Sequence, residues 1–167
     1  IVLHHTGGEG GHAQVCRTLR ARRLSIHYIV DQEGAIVQCA DPRATVTYHA
    51  GPRANGRSVG VEVVSRGMPP ALSTRPRTEY TDAIHCRMVR YLHFLPPQVT
   101  AVRELVSRLC RELGIPPVLP VDAAGQMRRD VLTDAELRAF RGVLGHLHVS
   151  RKKLDPSPHL LRELWAS

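Results

Sequence analysis

The chain has 167 residues, of which 43 % are hydrophobic and 23 % charged, with a formal charge of +8 and a pI near 10. That length suits one domain with a sizeable core, and the composition is that of a globular protein. No apolar run approaches the ~20 residues of a bilayer-crossing helix, and no signal peptide is visible, since Ile1 already opens a strand-like run. Aromatics make up only 4 %, so aliphatic side chains must fill the interior. The positive charge favours an anionic partner by long-range attraction. Arg17, Arg20, Arg22 and Arg23 are the densest basic group, yet no nucleic-acid motif accompanies them and no nucleic acid is expected as partner. Cys16, Cys39, Cys86 and Cys110 show no CxxC spacing. Cys16 and Cys110 fall in helix-like apolar segments and are expected as buried free thiols.

In chain order, Ile1 to His5 reads as a short buried strand, followed by a glycine-rich loop and a helix over 12–23. Ser25 to Val30 and Ala35 to Cys39 form two strands joined by Asp31-Gln32-Glu33-Gly34, a hairpin connection. Val46 to His49 reads as another strand, and Ala50 to Arg57, with glycine, proline and asparagine, as a loop. Ser58 to Val64 is strongly β-branched and predicts a central strand. A helical pattern covers 81–92, with Ile84, Met88, Tyr91 and Leu92 on one side. The strongest helix spans 97–113, where Val99, Val102, Val106, Leu109 and Leu113 recur at 3–4 spacing before Gly114 and Pro116 end it. Thr133-Asp134-Ala135-Glu136 is a capping box. Val143 to His146 returns as a strand, and Ser157-Pro158 caps a terminal helix carrying Leu160, Leu161, Leu164 and Trp165. The sum is an α/β fold: one domain over 1–167, a central mixed sheet flanked by helices.

Ten histidines are present. His4 and His5 close the first apolar run, and on a strand they point to opposite faces, so only one of them can serve a given metal. Far down the chain, His146 and Asp155 form a His-x8-Asp pair. One early histidine with this pair makes a three-ligand set for Zn2+ that leaves the fourth tetrahedral position to water, the arrangement of a catalytic ion. Glu62 sits among valines in the predicted central strand, where burial raises a carboxyl pKa towards the range useful to a general base. A solvent-facing edge position is the alternative for it. Lys153 and Asp155 leave an extended segment on the same side, ahead of Pro156. A cation there can stabilise an oxyanion; read alone, Arg151-Lys152-Lys153 is a solvated basic run.

Five segments occur in a telling order: His4 in Val-Leu-His-His-Thr, Ser25-Ile26-His27-Tyr28-Ile29-Val30, Tyr48-His49-Ala50-Gly51, Ser58-Val59-Gly60-Val61-Glu62, and Gly145-His146 with Lys153-x-Asp155-Pro156. Together they resemble the zinc-dependent N-acetylmuramoyl-L-alanine amidases, a family that includes phage lysozyme-type amidases and the animal peptidoglycan recognition proteins. The resemblance runs from residue 1 to about 165. It implies a zinc cleft on one face of the sheet and assigns His4 rather than His5 as ligand, with His146 and Asp155 completing the set. It further implies Glu62 as base, Lys153 as stabiliser of the tetrahedral intermediate and His49 as a cleft-lining, substrate-binding residue. His27 is expected as a buried scaffold residue and His148 at the surface. Ile26 stands where some members carry an active-site tyrosine, which leaves the chemistry to Glu62, and Ser157 replaces the usual glycine after Asp-Pro. Residues 67–96 and 118–141 exceed the compact family pattern, and the predicted 81–92 helix is placed to wall or cover the cleft.

The expected activity is therefore hydrolysis of the amide between N-acetylmuramic acid and L-alanine of peptidoglycan, with Zn2+ as cofactor and peptidoglycan or a muropeptide as partner. The anionic bacterial wall also suits the positive charge. Work on the wall implies a periplasmic or secreted location, with cytosolic recycling as the other setting. The rival class is a non-catalytic peptidoglycan-binding module, which need not hold metal; zinc stoichiometry separates the two. A nucleic-acid-binding domain, prompted by charge alone, would show steeply salt-dependent DNA binding and no metal.

Overall fold

In the computed structural model, which describes residues 1–69 and 73–165, a five-stranded sheet runs through the centre in the order β3-β2-β4-β1-β7. Its strands are β1 (Val2–His5), β2 (Tyr28–Val30), β3 (Ile36–Gln38), β4 (Gly60–Val63) and β7 (Leu144–Gly145). β2, β4, β1 and β7 are parallel neighbours, and β3 is antiparallel to β2. A mostly parallel sheet is buried on both faces, and so the residues of β1 and β4 read as near-continuous apolar runs. Leu3, Val61 and Val63 are fully buried in the main core with α2 (Pro96–Leu113) and α5 (Pro158–Glu163). Burial of each such side chain contributes about 1.5–3 kcal/mol. The other face packs Val15 of α1 (His12–Ala21) against Ile26, Ile29 and Val64.

α2 buries Ala101, Val102, Leu105, Val106, Leu109 and Cys110 and ends at Gly114, whose φ of 63° places it in the left-handed region that favours glycine at a helix terminus. α3 (Asp134–Ala139) opens on the expected capping box: Thr133 Oγ1 accepts from the Glu136 amide, and the Glu136 carboxylate accepts from the Thr133 amide. Ser157 caps α5 by accepting from the Leu160 amide. All four cysteines are free, with Cys110 buried and Cys16 partly so.

Three expectations need correction. Residues 81–92 are not a helix: β5 (Glu79–Ile84) and β6 (Arg87–Leu92) form a separate antiparallel hairpin. His85 and Cys86 have φ of 50° and 62°, the two positive values of a type I′ turn, made here without glycine or asparagine. The alternation Tyr80, Asp82, Ile84 was the true period, and Met88, assigned to the buried side, is 72 % exposed. Residues 46–49 form no ladder, because the His49 and Ala50 amides donate to Asn55 Oδ1 and the Tyr48 amide to Ser25 Oγ. The last strand is shorter than 143–146, since His146 already begins α4 (His146–Val149).

Candidate metal centre

Ligands in open parallel sheets bind beyond the carboxyl ends of the strands, and there a cleft of about 370 Å³ opens. His4 near the end of β1, Glu62 near the end of β4, His146 just after β7 and Asp155 on the following loop all line it, with His49, Lys152, Lys153 and Arg22. A larger hollow of about 650 Å³ around Val2, Val59 and Leu144 carries arginines but no carboxylate on its walls. The chemistry therefore lies in the first.

Three remote side chains converge in that cleft. His4 Nδ1 lies 2.9 Å from His146 Nδ1, and Asp155 Oδ2 is 3.6 Å from the first and 3.5 Å from the second. The parallel register sets His4 beside Glu62, so both side chains leave the same face of the sheet. His5 turns the other way, with its ring against Gly67, where a Cβ would come within 2.4 Å of it. The Leu147 amide donates to the Asp155 carbonyl at 2.9 Å and fixes the loop on which that carboxylate sits.

The hydrogen-bond chain behind His4 decides its tautomer. Ser58 Oγ donates to the Ala54 carbonyl at 2.7 Å, so it accepts from His49 Nε2 at 3.2 Å. A neutral His49 then accepts at Nδ1 from His4 Nε2, 2.9 Å away. His4 Nδ1 is left without a proton, its lone pair facing His146 Nδ1 and Asp155 Oδ2. This lone pair, the second imidazole and the carboxylate together make a donor set that could hold a cation. A tetrahedral ion with Zn–N bonds of about 2.0–2.1 Å separates neighbouring ligand atoms by roughly 3.3 Å, and the observed 2.9, 3.5 and 3.6 Å bracket that edge. The residues fit a zinc-sized ion.

The electrostatics agree. Burial lowers the His4 pKa to about 4, although Asp155 opposes the shift. Burial and the neighbouring His4 bring His49 down to about 2. For Asp155 burial acts upward, but the adjacent His146 and His4 rings outweigh it and hold the carboxyl well below the ordinary 3.8. Neutral imidazole and ionised carboxylate are the forms that ligate metal. Glu62 behaves oppositely: burial first, then the charge of Asp155, raise its pKa to about 8. Its Oε2 is sealed from solvent without a hydrogen-bond partner among the described residues.

Gly60 makes the arrangement fit. A Cβ there would lie 2.6 Å from the His49 ring and 2.5 Å from Ile26 Cδ1. Ile26 itself is buried under the sheet and supplies no polar group. His27 is the scaffold residue expected: its Nδ1 accepts from the Gly60 amide and Thr47 Oγ1, and its Nε2 donates to the Thr45 carbonyl. His148, expected at the surface, is fully buried. It accepts from the Gly145 amide and donates to the Arg128 carbonyl, tying the turn that carries His146 to the 118–132 segment. Lys153 is exposed at the rim of the cleft.

The β5–β6 hairpin does not wall the cleft; none of its residues lines it. It braces the ligand loop from behind. Tyr91 Oη donates to the Leu154 carbonyl at 2.7 Å, and His85 Nε2 to the Lys153 carbonyl at 3.0 Å. No sequence signal pointed to this role, because the turn carries no turn-forming residue.

An α/β sheet with a histidine–histidine–carboxylate centre at its carboxyl end defines the class of domain. The family model for N-acetylmuramoyl-L-alanine amidase matches residues 1–158, and the chain belongs to that family. Its fold is similar to that of a solved complex of the N-acetylmuramyl-L-alanine amidase AmiD from E. coli with the substrate anhydro-N-acetylmuramic acid-L-Ala-D-gamma-Glu-L-Lys. The TM-score is 0.58 at 18 % identity, covering 97 % of this chain and 55 % of that one. The chain thus spans about half the length of that protein, and the likeness is one of fold. No curated protein sequence matches it significantly.

Proposed function

We propose that the chain is a zinc-dependent amidase that hydrolyses the bond between the lactyl carbonyl of N-acetylmuramic acid and L-alanine in peptidoglycan or its fragments. The observation that carries this reading is the meeting of His4 Nδ1, His146 Nδ1 and Asp155 Oδ2 on the cleft floor, on the sheet face to which Glu62 also points. Zn2+ held there would supply a water of pKa about 7 and a Lewis acid for the amide carbonyl.

The chain's own residues do the rest. Glu62, with its unpartnered Oε2, takes the proton of the attacking water and returns it to the leaving alanine nitrogen. Lys153, at the rim, holds the negative charge that develops on the carbonyl oxygen. His49 orients His4 by accepting its Nε2 proton. Arg22, Lys152 and Lys153 make the cleft attractive to the acidic stem peptide. Such a substrate places the work in the periplasm or outside the cell, with muropeptide recycling in the cytosol as the other setting.

Digestion of sacculi and soluble muropeptides, read by mass spectrometry, tests this. The expected products are stem peptides with a free L-alanine amine and intact glycan, lost on chelation and restored by Zn2+. Full turnover in chelator, or cleavage elsewhere, overturns it. Tight muropeptide binding without turnover in zinc-loaded protein would instead establish the recognition-module reading.

A further inference from the structure

A second histidine–histidine–carboxylate group lies outside the cleft. His93 follows β6 just ahead of α2, while His159 and Glu163 sit four residues apart on α5 and so share one helix face. His93 Nε2 is 3.3 Å and His159 Nε2 3.4 Å from the same oxygen, Glu163 Oε1. The two rings meet edge to face, 4.7 Å between centroids, and the Tyr80 ring closes the site 4.9 Å from His159 and 5.9 Å from His93. The three donor atoms lie within 4.8 Å of one another.

Two details go beyond an ion pair. His93 Nδ1 donates to the Phe94 carbonyl at 2.6 Å, so in the neutral ring the lone pair is on Nε2, the nitrogen that faces the group. Metal-ligating histidines are held in this way by the nitrogen that does not ligate. Glu163 Oε2 is buried and has no hydrogen-bond partner among the described residues, so half of this carboxylate is unsatisfied as it stands.

We propose that His93, His159 and Glu163 form a second site for a divalent transition metal, with Zn2+ as the fitting ion. The nitrogen–oxygen separations match the roughly 3.3 Å edge of a tetrahedral zinc sphere, and two imidazoles favour zinc, nickel or copper over magnesium or calcium. The side chains are 25, 41 and 28 % exposed, which leaves the fourth position to water. The site is a clamp: it joins α5 to the β6–α2 junction, and α5 begins three residues after Asp155. It needs no assumption about the cleft.

Zinc titration of metal-free protein, by calorimetry and elemental analysis, tests the proposal. Wild type should take two equivalents, Asp155→Ala one, and the double variant Asp155→Ala/His159→Ala none. Zinc should raise the Tm of Asp155→Ala but not of the double variant, and Glu163→Gln in place of His159→Ala should act alike. His159 and Glu163 are partly exposed, and circular dichroism confirms that the variants fold. Asp155→Ala protein that takes no zinc at 10-fold excess, or takes an equivalent that survives loss of His159 and Glu163, overturns the second site. One equivalent in wild type that disappears with His159 alone would keep this proposal and refute the ion in the cleft.

Discussion

The chain presents the same donor set twice, and the two copies differ in their surroundings. His4, His146 and Asp155 are 2, 8 and 12 % exposed and come from β1, α4 and a loop braced by a hairpin. His93, His159 and Glu163 stand at the surface, two of them on one short helix. In the first, His49 holds the His4 ring from behind, the Leu147 amide fixes the backbone at Asp155, and Glu62 shares the sheet face with His4. The second has one orienting hydrogen bond, from His93 to the Phe94 carbonyl, and the Tyr80 ring beside it. The contrast teaches that one donor set can be placed in two environments, sealed and held from behind in the cleft, open to solvent on α5.

The hardest test of that contrast is paired removal of the carboxylates. Asp155→Ala should lower kcat/KM on muropeptide by ~10³-fold or more, whereas Glu163→Ala should stay within roughly twofold. Comparable losses would break the distinction. Next is Glu62→Gln, expected to lower kcat by ~10²–10⁴-fold while zinc stoichiometry is unchanged. It carries a second readout in metal-free protein. The folded Glu62 pKa of about 8 lies above the ordinary 4.5, so the folded state holds the proton longer. Its stabilising effect is complete below about pH 4.5 and is lost as pH rises to 8. Glu62→Gln should therefore flatten the fall in urea midpoint over that window.

His148 backs the first centre alone. Burial lowers its pKa to about 4, so its stabilising effect is present above about 6.5 and lost as pH falls through 4. That loss is of order 3 kcal/mol; in His148→Gln the acid limb should be shallower, with lower stability at pH 7. The smallest effect is expected for Tyr91→Phe. Tyr91 stacks on Tyr80 beside the second centre and donates to Leu154 next to the first. Removing the hydroxyl should cost about 1 kcal/mol in chemical denaturation and should lower the affinity of the cleft for zinc more than that of the surface site.

Much of this was legible in the residues. The valines of Val59-Gly60-Val61-Glu62-Val63-Val64 announce a doubly buried strand, and the capping box at Thr133 and the N-cap at Ser157 mark helix starts through local chemistry. The first histidine cluster was found because its segments follow a family order; nothing in His4 or Asp155 taken singly says that they meet. The hairpin was hidden because Ile84, Met88 and Tyr91 mimic a helical stripe and because His85-Cys86 make a turn usually left to glycine or asparagine. His148 was misplaced because burial of a histidine depends on two backbone partners that only the folded chain supplies. Of the second cluster only His159-x3-Glu163 is visible along the chain, and His93 joins it through space.

Gly60 carries a consequence for anyone altering this chain. Its missing methyl is what lets the His49 ring approach β4 so closely. An alanine there would push that ring away, unseat the proton on His4 and so reset the tautomer of a residue on the adjacent strand. Libraries built by sparing only the residues that line the cleft would miss it, and a conservative-looking change would disturb the His49–His4 pair from behind.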